Sequence, residues 1–277
     1  FCMFIGKRRL VIYMEKDWKF KKNLNFLLRV SACFLSVSKF IRAKQKMTSI
    51  FAIGATGLVG SQLVSKAIEC SEVKELVTLT RRDYEREDKK LNKIIINNDN
   101  NQWYDIIKNS REIPIGSTFF SSFGTTRKLA GSAENFVKID HDINFSSFKS
   151  AKENGKFTTA IIVSSMGSNK DSNFLYMKTK GQLEEDIINL KFKRTIILKP
   201  GILLGERSVS KGINNTIAEK IGSFFRGTFL NSTIGYPVYG EEVAKCAIKL
   251  SLRPINEDID NEIIYVNSDE IIKIANN

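Results

Sequence analysis

From residue 49 to the C-terminus, short apolar runs alternate with longer stretches of helical periodicity. Residues 50–53 form an apolar run of the kind buried on both faces of a parallel sheet. Leu58, Val59, Leu63, Val64 and Ala67 follow at helical spacing. The pattern then predicts strands over 75–80, 93–97, 117–123, 157–165, 194–199 and, more briefly, 262–266. Helices are expected over 136–152, with Phe136, Ile139, Ile143 and Phe148 near one face, and over 174–190, with Glu184, Glu185 and Asp186 outward. Two more are expected over 215–225 and 241–252. Strands and helices in this alternation predict an α/β fold, a doubly wound parallel sheet with right-handed crossovers. No linker rich in Pro, Gly or Ser and no internal repeat interrupts it, so residues 47–277 read as one domain.

Between the first strand and its helix stand Gly54, Gly57 and Gly60. Gly54 allows a tight turn out of the strand, Gly57 lets a pyrophosphate approach the backbone, and Gly60 lets the helix pack close to the sheet. The helix N-terminus adds unpaired N–H groups and the positive end of its dipole. This placement predicts a dinucleotide site; a plain strand–helix turn has no need of it. The strand over 75–80 ends at Arg81 and Arg82, where an NAD site carries an acidic residue for the ribose 2′-hydroxyl. Two guanidiniums suit a 2′-phosphate instead, which favours NADPH over NADH. Asp83, one step on, weakens the exclusion of NADH. Asp99, after the strand over 93–97, suits an adenine-edge contact.

Composition removes many other chemistries. The chain has 277 residues and one histidine, His141, which excludes a two-histidine zinc motif; no GxSxG accompanies it. Cys2, Cys33, Cys70 and Cys246 are far apart and read as reduced thiols. The net charge of +13 is concentrated: residues 1–46 hold twelve basic and two acidic residues, a net of +10, which leaves +3 for the body. The body therefore gives no case for nucleic-acid binding. Within the extension, Leu27, Val30, Phe34, Val37 and Ile41 form one helical stripe among basic residues, and no acid occurs from Trp18 to Ile68. Such a segment suits a mitochondrial presequence or a peripheral membrane-surface helix. Its longest uncharged run, residues 30–38, is about half a membrane span. The competing reading is that residues 1–46 lie outside the natural protein, with Met47 as its start.

The candidate chemistry follows the strand over 157–165. Tyr176 and Lys180 lie four apart and share a helix face. A phenol of pKa ~10 is a weak acid at neutral pH. A nearby ammonium favours its phenolate and lets Tyr176 exchange a proton with a carbonyl or alcohol. Ser164 or Ser165 can hydrogen-bond the same substrate oxygen, and Lys180 can reach the nicotinamide ribose. A second pair at this spacing, Tyr104 and Lys108, lacks a serine-bearing strand end before it and reads as a chance match.

The segments GATGLVG, LTRR, FGTTR, VSSMGS, NFLYMKTKGQLE and LKPGILLGER, in this order, resemble the atypical short-chain dehydrogenase/reductases. They look most like the Tat-interactive-protein oxidoreductases and their fungal mitochondrial outer-membrane relatives. The resemblance covers essentially residues 49–277 and implies a Rossmann fold and NADPH. It places the catalytic tyrosine and lysine on Tyr176 and Lys180, and the serine by preference on Ser165. Nucleotide-loop positions fall on Gly54, Thr56, Gly57, Leu58, Val59 and Gly60, and the paired arginines on Arg81 and Arg82. Strand-end contacts fall on Phe123 and Gly124, and a backbone contact near Ile202 and Leu203. Residues 1–46 match nothing in that domain.

Two functions fit. One is an NADPH-dependent oxidoreductase acting on a small carbonyl or alcohol, mitochondrial and peripheral at the outer-membrane surface, with a cytoplasmic location as the alternative. The other is an NADPH-binding regulator without turnover, favoured by the short chain left after Pro200 for a substrate pocket. The pair Tyr176 and Lys180 favours the first.

Overall fold

A computed structural model of the chain describes residues 3–6, 9–12, 47–96, 100–111, 113–205, 236–256 and 258–277. The predicted stripe over 27–41, Asp99 and the predicted helix over 215–225 lie outside them. The chain divides into two units, residues 1–45 and 46–277. In the first, β1 (Met3–Gly6) and β2 (Arg9–Ile12) pair antiparallel, with Met3 opposite Ile12. Among the described residues, no helix is long and apolar enough to cross a membrane.

The second unit is built on seven parallel strands. In chain order they are β3 (Thr48–Ile53), β4 (Val73–Thr80), β5 (Leu91–Ile95), β6 (Ser117–Ser121), β7 (Phe157–Val163), β8 (Arg194–Lys199) and β11 (Glu262–Asn267). A two-residue parallel ribbon, β9 (Leu203–Leu204) with β10 (Val238–Tyr239), lies apart from the sheet. The spatial order is β11-β8-β7-β6-β3-β4-β5. The chain thus runs outward from β3 in one direction, returns, and runs outward from β6 in the other. The crevice between β3 and β6, at their carboxyl ends, is the topological switch point, where ligands bind in open α/β sheets.

Every residue of β3 and of β6 is buried, as expected for strands covered on both faces. Alternate side chains part to the two faces. Ile50 and Ala52 join a core with Leu63, Ala67, Val243 and Ala244, whereas Phe51 and Ile53 join Trp103, Phe119, Phe148 and Leu183. The first core is covered by α1 (Leu58–Glu69), with residues of α7 (Gly240–Ser251) and α8 (Ser268–Asn276). The second takes side chains from α2 (Asn100–Asn109), α5 (Ile143–Asn154) and α6 (Leu175–Asn189). The expected fold class is the observed one.

Local differences have local causes. The helix expected over 136–152 is three pieces: α4 (Ala133–Val137), a π-helical turn (Lys138–Asp142) and α5. Its start is set by Ser132, whose side chain accepts from Asn135 N at 3.1 Å. A π turn adds a residue without breaking the apolar stripe, so periodicity cannot reveal it. A short helix, α3 (Arg127–Ala130), the ribbon and α8 carry too little pattern of their own to have been expected. Glu184 corrects an expectation: it is buried, not outward. The free thiol of Cys246 is buried as well, and desolvation pushes its pKa up to about 12.

Candidate dinucleotide and proton-transfer site

The glycine loop occupies the switch point. Gly54 leaves β3 at φ +83°, and a Cβ there would lie 2.6 Å from Phe123 N, on the backbone leaving β6. Only glycine meets both demands. A Cβ on Gly60 would sit 2.0 Å from Gly54 O, so this residue lets α1 pack against the loop. Gly57 is the N-cap of α1 and supplies no side-chain cap, so the first N–H groups of the helix keep their capacity for an anion. An added Cβ at Gly57 would meet only Gly54 O, at 3.3 Å, and Thr56 and Gly57 are exposed. Val59 and Gly60 face the core, which leaves their backbone as their only means of contact. Leu58 reaches toward the ribbon: Cβ atoms on Gly205 and Gly240 would lie 3.2 and 2.9 Å from it. Leu203, in β9, is thereby held beside the loop, and exposed Ile202 is tied by its carbonyl to Val238 N at 2.9 Å.

At the next corner, Arg81 and Arg82 follow β4 and are exposed. The Arg81 guanidinium lies 5.8 Å from the centroid of the Phe123 ring, and that ring meets Trp103 edge-on at 5.7 Å. Gly54, Phe123 and Arg81 therefore form one corner. Asp83 is drawn away from it. Its Oδ1 accepts from Lys93 Nζ at 3.0 Å and from Tyr84 N at 2.8 Å. The lysine bond and the backbone bond hold its carboxyl below the ordinary aspartate range.

Tyr176 and Lys180 lie in the first two turns of α6, one half-exposed at the surface and the other buried. The tyrosine ring is backed by Phe136, with centroids 5.9 Å apart. Lys180 Nζ pairs with Asp140 Oδ1 at 2.9 Å, the two side chains being 7% and 1% exposed. Asp140 lies in the π turn, and its other oxygen accepts from Thr125 N at 2.7 Å. Gly124 fits into this contact: a Cβ there would be 2.9 Å from Asp140 Oδ1 and 3.5 Å from Lys180 Nζ. The strand-end position and the lysine picked out separately by sequence are thus neighbours.

The two serines are separated by their partners. Ser164 is buried and donates to Glu184 Oε1, as does Ser168. Glu184 Oε2 in turn pairs with Lys199 Nζ at 3.1 Å. Ser165 is half-buried, and its hydroxyl has only the weak 3.3 Å bond to Met166 O. Ser164 is occupied by this cluster, and Ser165 keeps a usable hydroxyl. Sequence reasoning missed Asp140 and Glu184. Each sits in a helix beside other acids, so residue type gave no signal of burial.

Tyr104 and Lys108 stand elsewhere, on α2. Lys108 Nζ pairs with Glu153 at 2.9 Å, and burial pushes the Tyr104 phenol up. His141 is held between Asp142 and Asp186, each at 2.8 Å.

The chain matches no family model. It is 47% identical over 230 residues to "Protein FMP52, mitochondrial" of Candida albicans, which covers 82% of this chain and 98% of that relative. The protein of the same name from Debaryomyces hansenii is 46% identical over 210 residues, covering 76% and 90%. Among solved structures, a UDP-glucose 4-epimerase from Thermotoga maritima aligns at TM-score 0.57 and 13% identity, covering 82% of this chain and 81% of its own. A short-chain dehydrogenase/reductase from Saccharomyces cerevisiae aligns at TM-score 0.55 and 12% identity, covering 82% and 99%. The Bordetella bronchiseptica enzyme WbmH, solved with NAD+, aligns at TM-score 0.57 and 12% identity, covering 80% and 76%. At such low identity these structures show the fold alone.

Proposed function

Since the chain belongs to the FMP52 family, whose names give a mitochondrial location and no reaction, its chemistry has to be argued from the site, and we propose an NADPH-dependent oxidoreductase. The observation that carries this reading is the junction at Gly124. There the loop leaving β6, beside the glycine turn, packs directly on the Lys180–Asp140 pair below Tyr176. A nucleotide binder alone has no need of that convergence.

The residues fit a nicotinamide dinucleotide. Gly54, Thr56, Gly57, Leu58, Val59 and Gly60 would hold its pyrophosphate through backbone N–H groups and the dipole of α1. Phe123 and Arg81 would pack on the adenine, and Arg81 and Arg82 would take the 2′-phosphate. Gly124, Ile202 and Leu203 would border the nicotinamide end. Bound there, the cofactor supplies a hydride to a carbonyl carbon. Tyr176 donates its hydroxyl proton to the carbonyl oxygen, giving an alcohol, and regains a proton from solvent. Ser165 hydrogen-bonds the same oxygen and orients it. Lys180 would hold the cofactor ribose and stabilise the phenolate left on Tyr176.

By analogy with its named relatives, the protein acts at the mitochondrion. The basic extension, with its apolar stripe, suits peripheral contact with the outer-membrane surface. The experiment has two arms: NADPH and NADH titrated by fluorescence, and a panel of aldehydes and ketones followed by NADPH absorbance. NADPH binding together with turnover supports the enzyme. Tight NADPH binding with no turnover across the panel would make the protein a regulator, and no binding of either cofactor would end both readings.

A further inference from the structure

Large apolar side chains are exposed on segments that follow the carboxyl ends of the strands, as Tyr176 does. Phe174, two residues before it, is 77% exposed. Leu129, in α3 beyond the end of β6, is 76% exposed. Met166, past the end of β7, is 42% exposed, as is Ile202 past the end of β8. Strands β6, β7 and β8 are parallel neighbours, so these segments all leave the same edge of the sheet. Two bonds link these segments: Met166 N donates to Pro200 O at 2.9 Å, and Asn169 N, in the loop after β7, donates to Met177 O of α6 at 3.1 Å. The Phe136 ring backs Tyr176 itself.

Holding such side chains in water is unfavourable, and apolar surface gathered at one place marks a contact. The Tyr176 and Ser165 hydroxyls stand on these same segments, beside Phe174 and Met166. Small-molecule sites have this composition: apolar walls and a few polar groups that fix the reacting atom. A carbonyl oxygen held by those two hydroxyls leaves the rest of its molecule among Phe174, Leu129 and Met166.

We propose that the substrate is a carbonyl compound carrying an extended apolar chain. The inference rests on the oxidoreductase reading for the carbonyl, and on the exposed side chains alone for the chain. Each methylene that leaves water on these surfaces strengthens binding by up to about fourfold.

The test separates binding from turnover. Octanamide and propanamide, carbonyl compounds that NADPH does not reduce, are titrated calorimetrically into the NADPH-saturated protein. Octanamide is expected to bind at least ~30-fold more tightly, from its additional methylenes. The exposed positions tolerate substitution, so F174S and L129S should fold normally and bring the two affinities close together. In parallel, kcat/KM for propanal, hexanal and decanal should rise with length in the wild type, through KM, and flatten in both variants. Equal amide affinities would overturn the proposal whatever the turnover. So would an amide preference unchanged by F174S and L129S, which would assign the apolar side chains to a membrane or protein partner. A strong, variant-sensitive preference for octanamide with no turnover of any aldehyde would uphold the apolar ligand and defeat the oxidoreductase reading instead.

Discussion

The Lys180 ammonium lies 2.9 Å from Asp140 Oδ1, and both groups are closed off from solvent. The pair joins α6 to the loop after β6, because Asp140 also accepts from Thr125 N. The carboxylate also fixes the Lys180 ammonium on the face of α6 that carries Tyr176. In D140N the shape is kept and the countercharge is lost. Two changes are expected. Turnover should fall, since the ammonium loses the carboxylate that positions it. Stability should fall by about 3–5 kcal/mol, the usual cost of breaking a buried ion pair. Urea unfolding measures the second. Turnover that is unchanged while stability falls would make the pair structural only.

Cofactor choice tests the corner formed by Arg81 and Phe123. R81D and R82D each put a carboxylate where the 2′-phosphate is expected. Affinity for NADPH should drop by roughly tenfold or more, the worth of a charge-assisted bond, while NADH binds as well or better. Fluorescence titration of both cofactors against both variants decides this. Equal wild-type affinities for NADPH and NADH would sink the arginine argument. Because Asp83 is already taken by Lys93, D83N should leave the preference unchanged.

The two tyrosines at the same spacing provide an internal control. Y176F removes the hydroxyl and keeps the ring against Phe136, so folding and NADPH binding should survive. Turnover should fall by roughly 10²–10⁴-fold, the contribution of a positioned general acid. Y104F should leave turnover unchanged, because Tyr104 sits on α2 among the side chains of α5. If the two variants behave alike on one substrate, Tyr176 is not the proton donor. S165A should lower turnover with little change in stability, whereas S164A should do the reverse, since Ser164 serves Glu184.

Glu184 tests the support beneath this loop. It joins Ser164, Ser168 and Lys199, and E184A would leave the lysine with no countercharge in a largely buried position. A loss of about 3–5 kcal/mol is expected in urea unfolding. A loss below about 1 kcal/mol, the range of an exposed pair, would show that water reaches the cluster.

The extension is a proposal of its own. A chain beginning at Met47 should keep its unfolding midpoint and its NADPH affinity, because the sheet and the glycine loop lie wholly beyond that point. It should lose membrane association, read by flotation with vesicles of outer-membrane composition. Unfolding of the shortened chain would make residues 1–46 structural.

The sequence by itself determined the strand–helix alternation, the glycine turn and the arginines after β4. Each is a local demand: a buried strand must be apolar, a turn at φ +83° must be glycine, and a helix must show its stripe. The spacing of Tyr176 and Lys180 was legible for the same reason, since four residues on a helix fix a face. Position in the chain gave the preference for Tyr176 over Tyr104. Only the tertiary structure decided which acids are functional neighbours. Asp140, Glu184 and Asp83 are alike as letters. One is buried against Lys180 across a π turn, one gathers two serines and a lysine under the loop, and one is turned aside by Lys93. It likewise separated Ser164 from Ser165, which differ by a single position in sequence and by their partners in space. A charge acts through distance and burial, and both arise between segments far apart in sequence. Periodicity along one segment carries no record of what packs against it.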